Sequence, residues 1–372
     1  MSFFKTAVRR FSSTSITRGM AKAIAYSEYG NPKEVLRAVS YNVPKCSKNQ
    51  VNVRFLASPI NPSDINQIQG VYPSKPPFTN DVCSSKPSAV AGNEGLVEVV
   101  DVGDQFKGTF SPGQWAILGS VNLGSWRTEM NIDGRSLVPV DKSAFPSIAE
   151  AATLSVNPCT AYCLLQHVVQ LNKGDWFIQD GANSMVGIAT IQLAKHFGYK
   201  SINVVRNRPD IEKLKEQLKS LGATIVITDE ELMDRKTMKQ KVPEWIQGGE
   251  VKLGIDCVSG RVAAEMAKYM SKGATMATFG GMSRQPLPVP VSLLIFKNLK
   301  FHGFWVTKWK SEHPEEFLKI IHKVEDFYRN GTLKTVNTEL VSLKEDADEK
   351  TFLDTFLNAI EGHGKKIIKF EH

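Results

Sequence analysis

Apolar and polar positions alternate in short, strand-like runs over the first third of the chain and change to a mixed rhythm beyond residue 150. From Ala23 to about residue 140, Val51-Asn-Val-Arg-Phe-Leu56 and Gly95-Leu-Val-Glu-Val-Val-Asp-Val-Gly103 have the length and β-branched content of strands. Pro59, Pro62, Pro73, Pro76 and Pro77 mark loops, and Pro112-Gly113 marks a turn. This half is predicted to be mainly β. A helical pattern follows from about Ala149 to Val169, then a short apolar strand, Trp176 to Gln179. A turn of small residues from Asp180 to Gly187 leads into an apolar-periodic helix through Ile188, Ile191, Leu193 and Ala194, ending at Gly198. Further strands are predicted at Ser201–Val205, Thr224–Ile227, Leu253–Val258 and Ala274–Gly281. Strands alternating with helices imply a parallel, doubly wound sheet. The stretch from about Pro314 to Ile360 contains helical segments, and Lys366 to Phe370 closes the chain as a strand.

The first twenty residues break this pattern. They carry Lys5, Arg9, Arg10 and Arg18 and no acid; the first acidic residue is Glu28. Phe3, Phe4, Val8 and Phe11 recur at helical spacing among the basic positions. Such a start predicts a mitochondrial presequence over residues 1–20, a disordered basic arm being the alternative. Arg9, Phe11 and Thr14, followed by Arg18-Gly19, resemble a two-step processing pattern. The whole chain has 46 Lys and Arg against 38 Asp and Glu, a net charge of +8. Without the start it is 42 against 38, or +4, which suits a phosphate-bearing or acidic partner and does not call for nucleic acid. No apolar run approaches the ~20 residues that cross a bilayer, so no membrane anchor is expected. The five cysteines form no C-x-x-C pair and read as reduced, inert thiols.

The turn from Asp180 to Gly187 is the strongest chemical signal. A strand feeding a helix through small residues lets backbone N–H groups approach a pyrophosphate at the helix N-terminus. Gly181 and Gly187 remain of the usual glycine pattern, with Ser184 and Met185 where glycine is commoner; alone, the loop fits a dinucleotide site or an ordinary βα turn. Nineteen residues after Gly187 stands Arg206, with Arg208 two further on. An acid there would bind a ribose 2′-hydroxyl, whereas arginine pairs with a 2′-phosphate. The pair reads as NADPH selection, or else as two solvated surface charges.

The segments Ile60-Asn-Pro-Ser-Asp-Ile-Asn-Gln-Ile-Gln-Gly-Val-Tyr-Pro73 and Ala91-Gly-Asn-Glu-Gly95 are more specific. With Gly124-Ser-Trp-Arg-Thr128, Arg206-Asn-Arg208 and Phe279-Gly-Gly-Met282, they make the chain resemble mitochondrial 2-enoyl thioester reductases. These form a zinc-free branch of the medium-chain dehydrogenase/reductase superfamily, and the resemblance runs from about residue 22 to the C-terminus. It implies a split GroES-like catalytic domain (21–155 and 308–372) around a Rossmann NADPH-binding domain (156–307). It places the proton donor on Tyr72, which the residues alone allow to be a packing group in a proline-flanked loop. Cofactor contacts map onto Asn157, Asn183, Ser184, Met185, Val186, Arg206, Asn207, Arg208, Phe279, Gly280, Gly281, Met282, Phe304, Trp305, Val306 and Lys365. Met185 stands where the family carries a smaller residue. An enoyl-CoA or enoyl-acyl carrier protein substrate, a homodimer and a place in the mitochondrial matrix are likewise implied.

The chemistry suits these parts. The β-carbon of an α,β-unsaturated thioester accepts a hydride, and the resulting enolate needs a proton at the α-carbon, which a positioned tyrosine can give. Metal is not expected: zinc alcohol dehydrogenases carry Gly-His-Glu where this chain has Gly92-Asn93-Glu94, and the seven histidines show no ligand spacing. His196 and His322 are expected on helix surfaces, and aromatic Phe301 to Trp309 either walls the pocket or packs. A quinone oxidoreductase of the same superfamily and a non-catalytic NADPH-binding protein are the competing readings.

Overall fold

A computed structural model of the chain describes residues 20–372, so the predicted presequence lies outside the described residues. Six strands form a wholly parallel sheet, ordered Ile225–Thr228, Lys200–Val205, Trp176–Gln179, Val251–Asp256, Thr275–Thr278, Lys300–Gly303. Counted along the chain this is third, second, first, fourth, fifth, sixth, the doubly wound order. Its direction reverses between the first and fourth strands, and ligands bind in the crevice at that switch point. Helices cover both faces, and separate apolar clusters fill the two sides.

The other unit is mostly β. Gln50–Pro59 pairs with Leu96–Val102 and Glu129–Asp133, and the sheet continues through Trp115–Leu118 to Leu137–Pro139. The last strand, Lys365–Glu371, returns to lie antiparallel beside Gln50–Pro59, with Thr338–Lys344 parallel on its outer edge. A small sheet of Arg37–Tyr41, Ala21–Tyr26 and Ala89–Val90 completes the unit. The strand Thr338–Lys344 lies within the stretch expected to contain helices. Its neighbours there are the helices Pro314–Arg329 and Glu349–Glu361. Val341 and Leu343 recur with period two, a pattern that becomes a strand because Lys365–Glu371 is there to pair with it.

The expected helix from Ala149 to Val169 is two helices, Ile148–Ala152 and Asn157–His167. Pro158 is admissible only in a first helical turn, so the second helix begins just ahead of it. The break is satisfied from the β unit: the Val156 N–H donates to the Glu94 carboxylate (2.8 Å). One buried cluster joins Leu96 and Ile117 of the antiparallel sheet to Phe177, Leu253 and Ile255 of the parallel one. The two units therefore share a core. His196 and His322 are exposed on their helices, as expected.

Candidate active site

Tyr72 follows the short helix Pro62–Ile68. That helix starts with a capping box in which Asn61 and Asp64 answer each other's backbone N–H. At its end Gly70 (φ +77°) turns the chain over the Tyr29 ring, where a Cβ would collide. The Val71 and Tyr72 amides both donate to the Asn66 carbonyl (3.0 and 3.2 Å), which fixes the tyrosine backbone. Gln67 holds the loop from below, donating to the Ser74 carbonyl and to Asn122 Oδ1, each at 2.8 Å.

The Tyr72 ring is half-buried and meets the Trp305 ring edge-on, with centroids 5.8 Å apart at 89°. The Trp305 indole N–H donates to the phenol oxygen (2.8 Å). An indole only donates, so the tyrosine hydroxyl accepts this bond and keeps its own proton for another acceptor. Burial raises the Tyr72 pKa above the ordinary phenol value, opposed by hydrogen bonds from Trp305 and Thr307. The group holds its proton at neutral pH, and its oxygen has donors ready for the charge that proton loss creates.

The predicted cofactor residues fall mainly at the C-terminal ends of the parallel strands. After the first strand, Gly181 has φ +53°, and a Cβ there would come within 2.5 Å of Cys257 Sγ. A Cβ on Gly187 would lie 2.7 Å from the Ala182 backbone, so the turn and helix meet only through glycine. Ser184 caps the helix Met185–Phe197, its Oγ accepting from the Gly187 N–H (3.1 Å). The Met185 and Val186 amides have no preceding helical carbonyl and stay open at the helix N-terminus, next to Asn183. Met185 and Pro158 line one small cavity, which sets Asn157 beside this turn. The buried Asn157 Nδ2 has no hydrogen-bond partner among the described residues.

Arg206 and Arg208 stand beyond the second strand; Arg206 is exposed, and neither joins an ion pair among the described residues. Asn207 between them is tied down, its N–H on Asp229 (2.9 Å) and its side-chain amide on Glu230 (2.8 Å). After the fifth strand, the Phe279 and Met282 amides donate to the Asp256 and Cys257 carbonyls, and Gly280 lies against the Cys257 carbonyl. Gly281 is open to one side, and Met282 is exposed. Beyond the sixth strand come buried Phe304, then Trp305 and Val306.

Lys365 opens the last strand and is half-buried. Its ammonium donates to the Ile60 carbonyl (3.1 Å) and to Asn61 Oδ1 (2.5 Å). Asn61 in turn donates to Glu94 (3.1 Å), the carboxylate that holds Val156. Burial lowers the Lys365 pKa and raises that of Glu94, each restrained by the charge of the other. One polar chain thus links Lys365, the base of the Tyr72 helix and the start of the Asn157 helix. Asn93 donates to Asp64 (2.9 Å) and Gln67 (3.0 Å), cross-linking the helix with neutral amides. Among the described residues, no group of three or more His, Cys, Asp or Glu could hold a metal.

Sequence reasoning missed three features. The bond from Trp305 to Tyr72 spans 233 positions and left no local trace. Thr307, also acting on Tyr72, lay in the aromatic-rich run but was not singled out. Two adjacent buried carboxyls were not singled out, Asp180 being read as the start of the turn and Asp256 as part of a strand.

The mostly β unit and the parallel-sheet unit with its glycine-bearing turn, sharing one core, define a medium-chain dehydrogenase/reductase. A family model described as zinc-binding dehydrogenase matches residues 186–324. The mitochondrial enoyl-[acyl-carrier-protein] reductase 2 of Debaryomyces hansenii is 39% identical over 384 residues, covering 98% of each chain. The human mitochondrial enoyl-[acyl-carrier-protein] reductase is 41% identical, over 92% of this chain and 89% of its own. The solved complex of Etr1p with NADP and crotonyl-CoA superimposes with a TM-score of 0.89 at 37% identity, over 94% of this chain and 99% of that one. The chain belongs to the mitochondrial enoyl-[acyl-carrier-protein] reductase family.

Proposed function

We propose that this chain reduces the C2=C3 double bond of trans-2-enoyl thioesters with NADPH, Tyr72 giving the proton. The observation that carries the reading is the Tyr72 hydroxyl, which accepts from the Trp305 indole N–H and so keeps an O–H proton to give. The residues present fit the cofactor. The Met185 and Val186 amides suit the pyrophosphate, Arg206 and Arg208 the 2′-phosphate, and the unpartnered Asn157 amide a polar group of the ligand. Phe279 to Met282 and Phe304 to Val306 would flank the nicotinamide half. Lys365 would act on the cofactor from beside Asn61. When bound, NADPH supplies a hydride to the β-carbon. Tyr72 then protonates the α-carbon, and the Trp305 N–H stabilises the phenolate left behind.

Residues 21–155 and 308–372 would form the catalytic domain around a cofactor domain of 156–307, a division supported by the pairing of Lys365–Glu371 with Gln50–Pro59. The relatives' names and the acid-free start support a place in the mitochondrial matrix, with enoyl-CoA or an enoyl-acyl carrier protein as substrate. A homodimer is supported by the outer strand Lys300–Gly303, which among the described residues is paired on one side only. Beside it the helix Val291–Ile295 and Phe296 expose apolar side chains, Phe296 to 74%.

The deciding experiment is NADPH oxidation by the purified protein with trans-2-hexenoyl-CoA, with the product identified as the saturated thioester. Turnover of a small quinone without turnover of the enoyl thioester would overturn the reading. So would NADPH binding with no reduction at all.

A further inference from the structure

Asp180 follows the first parallel strand and Asp256 ends the fourth, so both stand at the switch point of the sheet. They are 2% and 0% exposed. Asp180 Oδ1 accepts from the Cys257 and Val258 amides (2.7 and 3.2 Å). Asp256 Oδ1 accepts from the same Val258 amide (3.1 Å) and from that of Ser259 (2.7 Å), and its Oδ2 accepts from the Thr278 hydroxyl (2.8 Å). One N–H shared between the two acids sets them side by side. Neither forms an ion pair with a Lys, Arg or His among the described residues, and the buried Asp180 Oδ2 has no donor at all.

An ionised carboxylate only accepts hydrogen bonds. As an anion, Asp180 would turn a bare oxygen toward a second anion with no cation near. As an acid, it fills that gap by donating to Asp256. Asp256 has the fuller set of donors, three against two, and is the better seat for the charge. We infer that Asp180 and Asp256 share one proton, Asp180 as the acid and Asp256 as the carboxylate, and that the pair positions the walls of the cofactor crevice.

The two carboxyls reach three strand ends. They hold the amides of 257–259, where Ser259 takes φ +64° and ψ −165°, a conformation that strains any residue but glycine. The Cys257 and Val258 carbonyls accept from Met282 and Ser283 (2.9 Å each), which carries the constraint to the loop after the fifth strand. Gly181 rests on the Cys257 thiol, which brings in the pyrophosphate turn. The titratable groups facing Asp180 are thus Asp256 and Cys257, both on the fourth strand's end. Burial first, then the two acids, keep the thiol neutral. Burial and the Asp256 charge push Asp180 well above the usual carboxylate range. The folded chain therefore holds this proton more tightly than the unfolded chain. The contribution is complete below the ordinary carboxylate range and is lost as pH rises through the raised pKa of Asp180.

The inference rests on the crevice being an NADPH site, and the test separates the two. Infrared difference spectra of the full chain without cofactor, wild type against Asp180→Asn, read the proton directly. Fluorescence titration with NADPH across pH then reads the crevice. Asp180→Asn replaces O–H by N–H and removes the titration. The alkaline weakening of NADPH binding expected of the wild type should flatten in this variant. Asp180→Ala should weaken binding about tenfold or more, since it leaves two amides unanswered. A missing carboxylic-acid band at neutral pH overturns the inference. An Asp180→Asn variant that keeps the wild-type alkaline profile, or cannot fold, overturns it too. A wild-type chain with the band but no NADPH affinity leaves the proton pair standing and removes the cofactor reading instead.

Discussion

Tyr72, the proposed proton donor, shows how little of such a group's chemistry resides in the residue itself. A free phenol has a pKa of ~10 and is a poor acid at neutral pH. Half-burial raises that value further, and the Trp305 N–H answers by stabilising the phenolate. Tyr72→Phe should keep the ring contact with Trp305, the fold and NADPH affinity, while kcat falls by about 10²–10⁴ as for the loss of a general acid. A near-normal kcat with chemistry rate-limiting would exclude Tyr72 as donor; thermal melting run in parallel identifies a variant that merely unfolds. Trp305→Phe keeps an aromatic edge and removes the N–H. We expect a smaller loss of kcat than for Tyr72→Phe, roughly 10–100-fold, the scale of one charge-assisted hydrogen bond. Additive effects in the double variant would show the two to be independent. The residue type at position 72 was legible in a proline-flanked motif, but its polarising partner was not.

At the scale of elements, the turn and its helix are where local chemistry and the proposed function coincide. Gly181 and Gly187 could be singled out because a strand-to-helix turn over a ligand needs them. The structure supplies the reason each tolerates no Cβ. Gly187→Ala would drive a methyl into the Ala182 backbone. It should cost about 1–3 kcal/mol of stability by overpacking and weaken NADPH through displaced Met185 and Val186 amides. Calorimetric melting and cofactor titration check both, and a variant unchanged in either would show that the turn relaxes freely. The arginines belong to the same scale, since they sit at the tip of the next strand and join no ion pair among the described residues. Changing Arg206 and Arg208 together to Gln should raise the NADPH Kd by about 10²-fold and leave NADH nearly unaffected. Equal weakening of both cofactors would make them structural. The missed strand, Thr338–Lys344, and the split of the Ala149–Val169 helix have one cause. Each depends on a remote partner, Lys365–Glu371 for the strand and Glu94 for the break.

For the whole molecule, the open edge of the parallel sheet is the conspicuous feature. An edge strand, paired on one side only among the described residues and flanked by exposed Val291, Ile295 and Phe296, is a liability in a monomer and an asset in a symmetric pair. Sedimentation of the wild type at micromolar concentration should give a dimer, and Ile295→Glu with Phe296→Glu should give a folded monomer. A monomeric wild type would refute the proposed pairing. What the sequence determined by itself is what depends on near neighbours: strand and helix periods, proline and glycine punctuation, the order of elements in the parallel unit, the turn, and the arginines one strand later. These follow from backbone sterics and the spacing of side chains along one element, which any short window of chain contains. Only the tertiary structure decided the rest. Tyr72 received Trp305, Asn61 received Lys365, and Asp180 was set against Asp256, across 233, 304 and 76 positions respectively. Burial is the physical reason. A polar group removed from water must find a partner wherever the fold brings one, and that choice is written in the packing of distant segments rather than in the residues on either side.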